Sequence, residues 1–160
     1  MTRGEPARPR RWVPWLLTGL AFAGFVISLY LTFVHYRGYV SPCYVVHGCE
    51  TVQTSKYAVV LGVPLALAGT VFFGLMFYLG IALLTIRRPL VVTVFRLLAF
   101  GGAIAIIPLF LLQAIVLKAF CTYCVATEAI MLALWLLAFF LPAQAPVAES
   151  PDLEAETQAE

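Results

Sequence analysis

The chain has 160 residues, of which 62% are hydrophobic and only 11% charged, with a formal net charge of +2. Soluble domains carry roughly 25% charged residues, so this composition excludes an ordinary water-facing surface. A charge so near zero, with no basic patch interleaved with aromatics, also excludes nucleic acid as a partner.

Residues 1–11 form a basic N-terminus with Arg3, Arg8, Arg10 and Arg11. The apolar run that follows is longer than a signal-peptide core and leads into a short loop. It therefore reads as a retained first membrane helix, about Trp12 to His35. Arg10 and Arg11 read as flanking positive charge rather than a twin-arginine signal, and His35 and Tyr36 as interface residues.

The loop from Tyr36 to Lys56 holds Cys43 and Cys49, with five residues between them. The next apolar run, Tyr57 to Ile86, exceeds what one span needs. Gly62-Val63-Pro64 is expected to break it into a short interfacial helix over Ser55 to Leu61 and a second span from Pro64. The third span is expected over Leu90 to Leu117, with a kink near its middle at Gly101-Gly102 and Pro108. The fourth is expected over Cys121 to Leu141. Residues 142–160, rich in Ala, Pro and Glu, have no hydrophobic periodicity and read as a disordered tail. The fold class is all-α: a polytopic four-helix transmembrane bundle with a short helix in the first outer loop.

Seven of the ten Lys and Arg residues lie before the first span or around Arg87, Arg88 and Arg96. The positive-inside rule then places both termini in the cytoplasm. Both cysteine pairs fall on the outer side, where disulfides persist. Two series of small residues at four-residue spacing, Gly24, Ser28, Thr32 and Ala66, Thr70, Gly74, mark faces where helices approach closely.

Cys121-Thr-Tyr-Cys124 heads the fourth span. Free backbone N–H groups at a helix N-terminus favour a thiolate, and the two-residue spacer allows a reducible disulfide. Zinc ribbons use the same spacing, but the only histidines are His35 and His47. Cys43 and Cys49 alone could be a static loop disulfide. A second pair on the same side makes exchange between the two the better reading. His47 could lower a neighbouring thiol pKa or be an exposed loop residue. Glu128 shares a helix face with Cys121 and Cys124. A carboxyl at that depth is either a proton relay or a group hydrogen-bonded to Thr32 or Gln113.

Cys43, Cys49-Glu-Thr-Val-Gln-Thr-Ser55, Gly62-Val-Pro64 and Cys121-Thr-Tyr-Cys124 together resemble the vitamin K epoxide reductase family, in particular its bacterial thiol-oxidising members. The resemblance spans residues 12–141. It implies a four-helix bundle around a quinone, either menaquinone or ubiquinone, in the cell membrane. By the same resemblance Cys43 exchanges with a thioredoxin-like partner, Cys49 passes electrons to Cys121, and Cys124 faces the quinone. Ser55 corresponds to the family's Ser/Thr near the quinone, or simply caps the loop helix. No thioredoxin-like domain follows the fourth span, which implies a separate partner outside the cytoplasm. Glu128 departs from the family pattern and is a second candidate for the quinone site. A DsbB-type quinone-linked oxidase carries its two cysteine pairs in the opposite order. A thiolate metal-binding membrane protein is the reading from another class.

Overall fold

A computed structural model describes residues 12–43, 48–86 and 88–141. The basic N-terminus, His47, Arg87 and the acidic tail lie outside the described residues. Helix α1 spans Trp12–Tyr36, α3 Leu65–Thr85 and α4 Pro89–Leu111, the last continued by a π-helical turn over Leu112–Leu117. Each is long and apolar enough to cross a membrane. Helix α5, Thr122–Ala138, has 17 residues and rises about 26 Å at ~1.5 Å per residue. The chain is thus a helical membrane protein with three full-length candidate spans and one shorter apolar helix.

The connection after α1 differs from expectation. Its short helix, α2, covers Cys49–Gln53 and not Ser55–Leu61. Residues Lys56–Ala58 make one 3-10 turn, and strands β1 (Val59–Val60) and β2 (Val63–Pro64) pair antiparallel. Leu61 and Gly62, at φ 53° and 81°, form the two-residue turn between them. Positive φ at both central positions suits the right-handed twist of a hairpin. The β-branched valines flanking the turn favour strand over helix, which moves the helix upstream. The break at Gly62-Val63-Pro64 is where the sequence places it, and α3 begins directly after Pro64.

Helix α4 runs unbroken through Gly101, Gly102 and Pro108. The departure from α geometry comes after the proline, over Leu112–Leu117. Local π adjustment is one way a membrane helix satisfies carbonyls that a proline leaves without a donor.

The small residues make the α1–α3 seam. A Cβ on Gly24 would lie 2.5 Å from the Phe73 ring, so glycine is what admits the phenylalanine. Thr32 and Thr70 share a hydrogen bond of 2.9 Å across the same seam. The apolar core gathers at the other end of the bundle, around Val13, Leu17, Met76, Phe95 and Leu134. Arg96 lies within α4, and its guanidinium donates to the carbonyls of Ala138 (3.1 Å) and Leu141 (2.5 Å). It closes the C-terminal end of α5, where orphan carbonyls favour a cation.

Candidate active site

The two cysteine pairs meet at the end of the bundle away from that core. Cys43 and Cys49 are joined as a disulfide, and Cys121 and Cys124 are free thiols. Helix α2 begins at Cys49, so the second loop cysteine is held by regular structure and is buried, while Cys43 is half-exposed. Gly48, just before it, packs onto the turn preceding α5. A Cβ there would lie 2.6 Å from the Phe120 carbonyl oxygen and 2.7 Å from the Phe120 nitrogen. The absence of a side chain at Gly48 is what lets the loop dock there. The Thr122 hydroxyl donates to Cys43 Sγ at 3.6 Å, which places the loop disulfide one residue from Cys121.

Cys121 precedes the first residue of α5 and acts as its N-cap, its sulfur accepting the Cys124 N–H at 3.4 Å. Gln53 Nε2 donates to the same sulfur at 3.9 Å, while its Oε1 accepts the Ser41 N–H at 3.1 Å. Donors aimed at a sulfur favour its charged form. Cys121 has 0% exposure.

Glu128 resolves one of the open alternatives. Its Oε1 accepts from Gln113 Nε2 at 2.7 Å, whereas Thr32 bonds to Ser28 and Thr70. Gln113, buried on the π turn, also accepts the Cys121 N–H on its Oε1 at 3.0 Å. Among the described residues, the buried side-chain polar atoms without a partner are Ser41 Oγ and Glu128 Oε2. Both belong to the cysteine end.

Ser55 lies on the far side of α2 from Cys49 in sequence. Its hydroxyl donates to the Val52 carbonyl at 2.8 Å and caps no helix through its side chain. Gln53 is the functional residue that sequence reasoning missed. A lone Gln in a polar loop gives no periodic signal, and its position four residues after Cys49 acquires meaning only once α2 is in place.

The surroundings bear on whether an electron acceptor fits. No residue of α4 between Ala99 and Leu111 is buried, and every residue of α5 from Thr122 to Glu128 is half-exposed. The surface beside Cys124 is therefore apolar and accessible, with one unpartnered carboxyl oxygen close by. Those are features that an apolar ring with hydrogen-bonding oxygens suits. Among the described residues, no group of three or more His, Cys, Asp or Glu is arranged to hold a metal ion.

No curated protein sequence matches the chain closely enough to mark a relative. The family model for vitamin K epoxide reductases matches residues 15–139, from the first turns of α1 to the end of α5. With two redox-capable cysteine pairs near each other at one end of a helical membrane bundle, the chain belongs to the vitamin K epoxide reductase family and is a membrane thiol–disulfide oxidoreductase.

Proposed function

We propose that the protein oxidises the dithiol of a separate thioredoxin-like protein outside the cytoplasm and passes the electrons to a membrane quinone, menaquinone or ubiquinone. The observation that carries this reading is the docking of the Cys43–Cys49 disulfide against the Thr122 end of the CxxC helix. The exposure of the two loop cysteines supports the order. A partner thiolate attacks Cys43, the more accessible of the loop pair, and Cys49 leaves as the buried thiolate. The partner's second thiol then releases Cys43, completing a two-electron transfer with a new disulfide in the partner.

The reduced loop pair passes its electrons on when the Cys49 thiolate attacks Cys121 of an oxidised Cys121–Cys124 pair. Cys43 then closes the loop disulfide again and leaves both CxxC positions reduced. The proximity of the loop disulfide to the CxxC thiols supports this exchange. The quinone supplies a sink for two electrons and two protons. Re-forming the Cys121–Cys124 bond releases both electrons, with the two thiol protons as their counterpart. Glu128, one helical turn beyond Cys124, is the carboxyl placed to relay a proton. Ser55 contributes indirectly, by fixing the end of α2 through Val52.

Replacing Cys124 by Ala tests the assignment. With a reduced thioredoxin-like substrate in detergent, quinone reduction is expected to fall to background. Capture of the partner on Cys43 as a mixed disulfide is expected to persist. Undiminished quinone turnover would remove Cys124 as the acceptor-side thiol.

A further inference from the structure

We propose that Gln113 is a positioning residue that fixes both the start of the CxxC helix and the orientation of the Glu128 carboxyl, so that any proton Glu128 carries sits on Oε2. The proposal rests on the reading of the protein as a quinone-linked oxidase and deepens it on the acceptor side.

The orientation of the amide follows from donor and acceptor chemistry. The Cys121 backbone N–H can only donate, so the Gln113 atom 3.0 Å from it is the carbonyl oxygen. The other end of the amide is then the NH2 group, which can only donate, and its partner is Glu128 Oε1 at 2.7 Å. Glu128 Oε1 is therefore committed as an acceptor. A proton on that oxygen would face the amide hydrogens, so the hydroxyl form places its hydrogen on Oε2. That oxygen is buried and unpartnered, which leaves its hydrogen free to be given to a reacting group.

Gln113 is itself held firmly. It is 3% exposed, and its backbone carbonyl accepts the amides of both Lys118 and Ala119. Lys118 adopts a left-handed conformation (φ 49°), and the chain then turns to reach Cys121. The π turn is what brings one side chain within reach of both the Cys121 backbone and Glu128. Such turns recur at functional sites for this kind of reason. In the proposed reaction the two protons released by the CxxC thiols balance the two that the quinone takes up: one replaces the proton that Glu128 Oε2 gives to the acceptor oxygen, so Glu128 ends each turnover as it began, and the second is exchanged through water on the outer side.

Infrared difference spectra of the purified protein, acidified until Glu128 is protonated, test the geometry without turnover. The carboxylic-acid C=O band assigned by its loss in Glu128→Gln is expected to move to higher frequency in Gln113→Leu, because Oε1 loses its donor. Gln113→Glu keeps the acceptor for the Cys121 N–H but donates to Glu128 only while protonated. Its quinone reduction is expected to fall on the order of 10-fold as the pH rises through a new ionisation absent from wild type, with thiol exchange at the loop pair unchanged. A C=O band unmoved by Gln113→Leu, or a Gln113→Glu pH profile identical to wild type, would overturn the proposal. Absence of quinone reduction in the wild type would instead overturn the oxidase reading, whatever the spectra show.

Discussion

A single methyl group added at Gly48 would collide with the Phe120 backbone, and backbone cannot step aside as a flexible side chain can. Gly48→Ala is expected to lift the start of α2 from the α5 turn and to slow equilibration between the two cysteine pairs. Stability should fall by about 1–3 kcal/mol, the usual cost of overpacking. Trapping the thiol states after a reductant jump measures the first effect, and thermal unfolding in detergent the second. Unchanged exchange between the pairs would show that close docking at position 48 is dispensable. The sulfurs were legible in the sequence because their chemistry is carried by residue type and spacing. What orients them was not. Gly48 reads as loop flexibility when no partner surface is known, and Gln53 reads as a solvated amide. Gln113 stood out only as a possible partner for Glu128, since a polar amide in an apolar run needs something to bond.

Helix α5 shows how an element too short for comfort is held at both ends. At one end the Cys121 N–H is taken by Gln113 and the Cys121 sulfur caps the first turn. At the other, Arg96 donates to Ala138 and Leu141. The charge of Arg96 had a topological reading in the sequence, but its reach to α5 depends on a neighbouring helix that no local pattern names. Arg96→Leu is expected to destabilise the protein by about 1–3 kcal/mol, the scale of hydrogen bonds to a charged group, while leaving the cysteine end intact. Lowered thermal stability with near-normal thiol exchange is the expected pair of results; loss of exchange at full stability would contradict it. The span limits and the small-residue seam were readable because hydropathy and four-residue spacing are properties of one helix at a time. The short loop helix was misplaced because Val59, Val60 and Val63 pair across a turn, and pairing is not visible in a hydropathy run.

Across the whole molecule the two ends of the bundle are built differently. The end near Val13 and Leu134 is dry and tightly packed. The cysteine end buries Ser28, Thr32, Ser41, Thr70 and Gln113 instead, as a site that handles protons requires. By the positive-inside rule, the charge distribution of the sequence predicts that this polar end faces outward. A variant retaining Cys43 alone is expected to react with a membrane-impermeant maleimide added to intact cells, whereas a Thr2→Cys variant of the cysteine-free protein reacts only after permeabilisation. The reverse pattern would invert the topology.

Cys121 has no exposed surface at all, and α2 with Gln53 lies over it. Small thiols dissolved in the surroundings can collide with Cys43 but not with the sulfur behind it. Cys121 is thereby shielded from them. In the proposed relay, electrons from the aqueous side then reach it by way of the loop disulfide and not by direct exchange with the ambient redox buffer.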